Sequence, residues 1–440
     1  MNILLISPSQ KNVYGKIGTI SQPNMGLAYI GTVLKKRGHD ILMLDIDYSK
    51  MNDNKFYDLI YKQEMVCITA TTPIIKNALS IAKLIKELKS DITIVLGGIH
   101  ATIETDYSLY SDIDYIVKGE GEKAILRIIN ERPQQKIIRE PLIDNIDDLP
   151  FIDRNMFSSE QYQYPDTIHK KVFPMITSRG CFGQCTFCQT KNIYGSRIRF
   201  RSPDSVVDEI DSLIEMGAKE IHIWDDNFAA DKKRVFEIRD KMHDRKLLPL
   251  ISFPNGLRIE TALDMEVLKA IREMGGYSIS FGIESGNQRI LDSVKKGITL
   301  NNIRRAMNNA KSAGFEIWGF FILGFPLDGL VTMQETIDFA KSLPIDVAKF
   351  HILKPYPGSL IHEEMKNAGL IESFNYDDYG IHTFPVHHTR FVSAQEIYVI
   401  HKKAYRAFYF RPKVILNQLR LIKSFHRLKE KIKYAFKIFN

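Results

Sequence analysis

Cysteine is scarce in this chain. There are four, and they divide three to one: Cys181, Cys185 and Cys188 lie close together, and Cys67 stands alone in the apolar run Met65 to Ala70. That distribution excludes the disulfide framework of a small secreted domain and points to a reducing compartment, the cytoplasm. Cys67 reads as a small buried hydrophobe. No apolar run reaches the roughly 18 residues of a spanning helix. The start, Met1-Asn2-Ile3-Leu4-Leu5-Ile6-Ser7, is too short for a signal peptide and reads as a buried first strand. A Gly-x-Gly-x-x-Gly fingerprint and a phosphate loop are both missing, which counts against ordinary dinucleotide or nucleoside-triphosphate binding. Acids run out only at the end: from Arg411 onward nine Lys or Arg meet one acid, Glu430, so the tail carries the whole net charge of +8.

What is present is a regular alternation. Hydrophobic content of 44% and charged content of 25% suit a globular protein, and 440 residues suggest two or three domains. In residues 1–130, Ile3 to Ile6, Ile41 to Leu44, Val66 to Thr69, Ile92 to Leu96 and Tyr115 to Val117 read as strands. Segments of helical period separate them: Gly26 to Arg37, Lys55 to Lys62, Ile74 to Lys89 and Glu120 to Ile129. This is an α/β pattern, a doubly wound parallel sheet whose ligand lies beyond the carboxyl ends of its strands. Residues 131–170, with Pro133, Pro141, Pro150 and Pro165 and no sustained period, form a connector. The beat resumes over 171–360 with Val172 to Ile176, Glu220 to Trp224, Leu250 to Phe253, Tyr277 to Phe281, Glu316 to Ile322 and Val347 to Ile352. Six strands, each followed by a helix, predict a partial barrel of the TIM type, with its chemistry at the C-terminal strand ends.

The chemistry begins at Cys181-Phe182-Gly183-Gln184-Cys185-Thr186-Phe187-Cys188, directly after the first barrel strand. Three thiolates on one short loop can hold three irons of a 4Fe-4S cluster and leave the fourth open. A zinc knuckle completed by a histidine such as His169 is the alternative. Further on come Trp224-Asp225-Asp226-Asn227-Phe228, Asn255-Gly256-Leu257-Arg258, Phe281-Gly282-Ile283-Glu284-Ser285-Gly286 and Gly324-Phe325-Pro326. In order and spacing this set resembles the radical SAM superfamily. The resemblance implies a cluster held by Cys181, Cys185 and Cys188, with S-adenosylmethionine held by Asp225, Asp226, Ser280, Glu284, Ser285, Gly324 and Pro326. Asp226 or Asp231 could instead cap a helix, and Arg258 could pair with a ligand carboxylate or with surface acids.

The first third carries its own signature. Pro23-x2-Gly26, Thr69-Ala70-Thr71-Thr72, Gly97-Gly98-x-His100 and Gly119-Glu120 gather at predicted strand ends. Together they resemble the cobalamin-binding domain that precedes many radical SAM domains. The resemblance assigns Thr69, Thr71, Thr72, Gly97, Gly98, His100, Gly119 and Glu120 to cobalamin. Asp-x-His-x-x-Gly, which supplies the lower cobalt ligand in mutase-type domains, does not occur. A loop hydrogen bond is therefore the expected role of His100. The layout is also similar to that of the anaerobic magnesium-protoporphyrin IX monomethyl ester cyclases. The implied activity is cobalamin-dependent methyl transfer to an unactivated carbon. Radical cyclisation or hydroxylation, and a non-enzymatic corrinoid or iron-sulfur carrier, are the alternatives. Methylthiolation, which needs a second cysteine-bound cluster, is disfavoured.

Residues 361–440 complete the chain. Tyr376, Tyr379 and His382 are expected at the substrate opening. From Val414, apolar residues recur at helical spacing to Phe439 among lysines and arginines, predicting one basic amphipathic helix that docks on the barrel, self-associates or lies on an anionic membrane. Expected partners are a small-molecule or lipid-like substrate and an electron donor such as flavodoxin or ferredoxin. Nucleic acid is not expected, since no recognition motif accompanies the charge.

Overall fold

The computed structural model describes all residues except 15–21, 50, 51, 105, 109, 158–161, 163, 165, 166 and 440, so Pro165 of the connector lies outside the described residues. Strands β1 (Asn2–Ser7), β2 (Asp40–Asp45), β3 (Met65–Thr69), β4 (Thr93–Gly97), β5 (Tyr115–Lys118) and β6 (Ile137–Arg139) form one sheet in the order β2-β1-β3-β4-β5-β6. Every pairing in it is parallel. Both faces are covered, which is why the strands read as unbroken apolar runs. Leu4, Ile6, Val66, Ile68, Ile94 and Leu96 pack into one layer. Ile3, Leu5, Met65, Cys67 and Val95 pack into the other. The strand order reverses between β1 and β3, so the ligand crevice lies beyond the carboxyl ends of that pair. Strand β6 falls within the stretch read as connector. It has three residues, with only Ile138 buried, too short to leave a periodic signal.

The other described parts of the connector pack between the two sheets. Asp147 accepts from Ser202 N at 3.1 and 3.0 Å, and buried Arg154 pairs with Glu209 at 2.9 Å. Strands β7 (Val172–Met175), β10 (Glu220–Ile223), β11 (Leu250–Leu257), β12 (Gly276–Glu284), β13 (Glu316–Leu323) and β14 (Val347–Ile352) build the second sheet in the order β14-β13-β12-β11-β10-β7. A two-strand ribbon of β8 (Ser178–Arg179) and β9 (Arg199–Phe200) follows β7. Along the barrel strands Ile221, Ile251, Phe253, Ile279, Phe281, Ile317 and Phe321 join the core under the helices. The alternate positions carry His222, Ser252, Ser278 and Ser280, all buried. This is the period-two pattern of a sheet with one oily face and one polar face.

The sheet does not close on itself, and its β14 edge is covered by the helix Ala394–Tyr409, which the sequence reading passed over. His401, Tyr405 and Tyr409 stand one turn apart on this helix. The Tyr409 hydroxyl accepts from Ala348 N at 3.2 Å and donates to Ala348 O at 2.9 Å. Tyr405 does the same at Phe350, at 3.3 and 3.1 Å. Side chains thus complete the backbone bonds that a seventh strand would have made.

The tail forms two helices, Pro412–Arg420 and Phe425–Phe439, and not the single helix expected. The break comes at Ser424, whose hydroxyl accepts from Arg427 N at 3.1 Å and starts the second helix. Both dock on the closed end of the barrel. Among the described residues no helix is long and apolar enough to cross a membrane.

Candidate active site

The cysteine loop is built from behind by Asp225. This buried carboxylate accepts from Thr177 N at 2.6 Å, Thr177 Oγ1 at 2.5 Å and Ser178 Oγ at 2.7 Å, fixing the chain as it leaves β7. Gly180 then turns at φ +102, where a Cβ would stand 2.4 Å from Arg197 O; no other residue fits there. The far side of the loop is held by backbone bonds from Thr186 N to Val294 O and from Ile361 N to Thr186 O, both 3.0 Å. Phe187 packs on Phe325 at 5.7 Å between ring centroids. Cys181 and Cys185 are half-buried and Cys188 is exposed, while Cys67 is buried in the other domain.

Two cations overlook the thiols. Arg258 stacks on Phe182 at 4.8 Å and pairs with Glu260 at 2.6 Å. It reaches over Gly183, where a Cβ would come within 2.7 Å of its Nη1. Lys296 pairs with Glu284 at 2.7 Å. Burial pushes the Cys185 thiol up, and Lys296 pulls against it. Three accessible thiols under two cations suit an anionic cluster. His169 precedes β7 and donates its backbone N–H to Glu220 at 2.8 Å, at the opposite end of the strand from the thiols, so the zinc alternative loses that fourth ligand. Among the described residues no three His, Cys, Asp or Glu converge on a single ion; a cubane, with each thiolate on its own iron, does not require it.

The residues assigned to S-adenosylmethionine separate on inspection. Asp226 faces the open space beside the loop, receives Gly180 N and Thr190 Oγ1 at 3.3 Å each, and is pushed up by burial. Asp225, grouped with it by sequence, is spent on the loop. The helix cap is Asp231, which accepts from Arg234 N. Glu284 sits at φ +66, a strained setting for a side chain of its size, beside the thiols with Lys296. Ser280 is buried on β12. Ser285 is turned away from the mouth: it shares a hydrogen with Thr336 Oγ1 at 3.1 Å and accepts from Asn287 N. Gly324 takes φ +89, with its N–H on Asp328 at 3.0 Å and its carbonyl on His387 at 2.7 Å, and Pro326 O accepts from Arg390 N.

The cobalamin set separates too. Gly119, at φ +87, has nothing closer than 4.0 Å to an added Cβ, so space is open there, whereas Gly98 is wedged against Ala70 O and Thr69. Gly97 borders that same turn and Thr71 is exposed. Thr72 and His100 are not free: the imidazole bonds Thr72 Oγ1 at 3.2 Å and the Tyr110 hydroxyl at 3.1 Å. Tyr376 stands edge-on over it at 4.9 Å. Burial drops the pKa of the His100 imidazole to about 4. Tyr376, expected at the substrate opening, thus belongs to a lid of residues 371–384 over β3 and β4. Glu120 is a second correction. It is buried and accepts from Arg179 at 2.7 Å and from Arg199 at 2.8 Å, so the barrel's own ribbon takes up its charge.

Arg179 was missed by sequence. It also pairs with Glu122 at 2.6 Å and lies 4.9 Å over the Tyr29 ring, bolting the two domains together. No local pattern marks it, because its partners lie more than fifty residues away. Beside it lies a cavity of about 360 Å³. Gln10, Tyr14, Pro23, Asn24, Met25 and Gly26 line it from the first domain, and Ile176, Ser178, Arg179, Trp224, Asp226 and Asn255 from the barrel mouth. A flat ligand held at the switch point of the first sheet would face the cysteine loop across this space.

The comparisons agree with this geometry. A model of the Radical SAM superfamily matches residues 175–340, and one of the B12 binding domain matches residues 17–129. An uncharacterized methyltransferase of Pyrococcus horikoshii is 31% identical, over 95% of this chain and 95% of its own. The chain belongs to the cobalamin-binding radical SAM family. The anaerobic magnesium-protoporphyrin IX monomethyl ester cyclase of Rubrivivax gelatinosus is 28% identical, over 87% of this chain and 73% of its own. The cobalamin-dependent radical enzyme OxsB, solved with aqua-cobalamin and S-adenosylmethionine, shares the fold at a TM-score of 0.70 and 15% identity, over 99% of this chain and 72% of that one. The cofactors of this radical SAM enzyme are a 4Fe-4S cluster, S-adenosylmethionine and cobalamin.

Proposed function

We propose that this enzyme methylates an unactivated carbon of a small molecule, with Cys181, Cys185 and Cys188 as the cluster ligands. The carrying observation is the cavity between the domains, since it is lined by Ser178 and Arg179, just ahead of the cysteine loop, on one side and by Gln10 and Tyr14, past the end of β1, on the other. When bound, the cluster and S-adenosylmethionine supply the radical that takes hydrogen from the substrate, and cobalamin supplies the methyl group.

The chain's own residues do the rest. Asp225 fixes the start of the cysteine loop, and Arg258 and Lys296 balance the charge that gathers there. Asp226, held by Gly180 and Thr190, presents a carboxylate to the cavity, where it suits an ammonium group. Glu284, beside the thiols and paired with Lys296, suits the hydroxyls of a ribose. Gly97 and Gly119, with Thr69 and Thr71, stand at the carboxyl ends of the first sheet's strands and would hold cobalamin there, and Trp224 and Met25 line the cavity between the domains. Exposed Cys188 gives an electron donor such as flavodoxin or ferredoxin its approach.

The test is anaerobic reconstitution with and without cobalamin, followed by mass analysis of small-molecule extracts. One added methyl together with 5'-deoxyadenosine supports the reading. A net oxygen or a new ring would move the enzyme to the chemistry of its cyclase relative. No 5'-deoxyadenosine, or an unchanged iron content in Cys185→Ala, would overturn it.

A further inference from the structure

The tail helices are inverted. Their polar side chains face the protein: Arg427 is fully buried against Glu316, Asn417 and Gln418 donate to Asp346 at 2.6 Å each, and Ser424 donates to Ile168 O at 2.8 Å. Val414 packs into the core, but five other large apolar side chains face out. Ile415, Leu416, Leu419, Phe425 and Ile432 are between 48% and 82% exposed. Five large apolar groups on two short adjoining helices are more than scattered surface residues, and an outward apolar face implies something that covers it.

The charge says what. Lys413, Arg420 and Lys429 on the same helices and Lys423 in the turn between them are exposed, while the tail's one acid, Glu430, is turned inward at 7% exposure. Among the described residues the exposed side chains of this tail are therefore all apolar or cationic. A second copy of the chain would set cation against cation. A nucleic acid would neutralise the lysines and leave Phe425 in water. An anionic lipid surface satisfies both halves: headgroups take the cations and the acyl boundary takes the apolar residues.

We propose that Pro412–Arg420 and Phe425–Phe439 form a docking face for an anionic bilayer surface. The attachment is at the closed end of the barrel. Glu316 opens β13, Asp346 precedes β14 and Ile168 precedes β7, whereas the cysteine loop and the cavity lie at the other ends of the strands. Along the eight residues of β13 that is about 26 Å at roughly 3.3 Å per residue. Docking would hold the enzyme at the membrane with its mouth toward the aqueous side, so membrane contact carries no requirement for a lipid substrate.

The full chain, loaded with cluster, would be floated with phosphatidylcholine vesicles with and without phosphatidylglycerol. Binding is expected only with phosphatidylglycerol, and it should weaken as salt is raised. Lys423→Glu with Lys429→Glu is expected to weaken it at least about 25-fold, at about fivefold for each cation lost, and Leu419→Ser with Phe425→Ser to weaken it comparably. Iron content and melting temperature should stay unchanged, because these side chains touch solvent. Equal binding to both vesicle types, binding that survives both variants, or a dimer that the same variants dissolve would overturn the proposal. The salt dependence of the unaltered protein tests it independently of any variant.

Discussion

Replacing Arg179 by alanine should undock the two domains. The guanidinium is buried and bridges Glu120 at 2.7 Å and Glu122 at 2.6 Å. In its absence Glu120 keeps Arg199 and the N–H of Ile143. Glu122 keeps no other ion pair among the described residues and is left as an uncompensated buried charge. Breaking a buried pair in this way costs about 3–5 kcal/mol, and the lost contact with Tyr29 adds about 1 kcal/mol. At about 1.4 kcal/mol per factor of ten, even the lower figure shifts docking by more than about a hundredfold. The assay is protease cleavage in the connector, with urea unfolding beside it. An internal check isolates the cause: Glu122→Gln added to Arg179→Ala should recover much of the loss, since no charge is then stranded. A single variant within about 0.5 kcal/mol of the parent, a magnitude typical of ordinary surface changes, or a double variant no better than the single, would refute the reasoning.

The two adjacent carboxylates should behave oppositely. Asp225→Asn, which turns an amide onto Thr177 N and two hydroxyls, should lower the melting temperature by stranding donors worth about 1–3 kcal/mol. Asp226→Asn should leave melting nearly unchanged and weaken S-adenosylmethionine binding about tenfold or more, the worth of a hydrogen bond to a charged group; equilibrium dialysis and calorimetry separate the two. Gly180→Ala, with its Cβ 2.4 Å from Arg197 O, should abolish iron and sulfide incorporation while circular dichroism keeps the α/β signature. Lys354 is buried on Asp378 O, Thr383 Oγ1 and Phe384 O, and burial drops its pKa to about 7. A depressed amine is a full penalty below about 7 and none above the usual lysine value, so its contribution to stability rises with pH across that window. Lys354→Met should flatten that slope in melting curves taken from pH 7 upward.

Much of this was legible in the chain because the carriers of fold were local. Ile3 to Ile6 and Val66 to Thr69 announce buried parallel strands by composition alone, and the three cysteines announce their chemistry by spacing. Two things were not legible. Elements too short to show a period, such as Ile137–Arg139, look like loop. Long-range polar partners also leave no trace in sequence: Glu120 sits at a glycine-rich strand end like a ligand residue, and only the fold shows Arg179 and Arg199 closing on it. His100 makes the loop hydrogen bond expected of it, but its partners Thr72 and Tyr110, and Tyr376 over its ring, come from segments separated in the chain and leave no local signal.

Arg179 and Arg427 pose one physical question at opposite ends of the barrel. Each is a buried arginine on a carboxylate, and such pairs commonly add little net stability over well-packed apolar side chains. What a charge pair adds is discrimination, because any shifted docking leaves a charge stranded. At the closed end this can be tested. Arg427→Met with Glu316→Leu removes both charges together and should leave the melting temperature within a few degrees of the parent. Arg427→Met alone strands Glu316 and should cost about 3–5 kcal/mol. If the pair sets register, the double variant should fold yet hold its tail in more than one position, seen as faster proteolysis after Arg411. A double variant as protease-resistant as the parent would show that Asn417, Gln418 and Ser424 fix the tail without the ion pair.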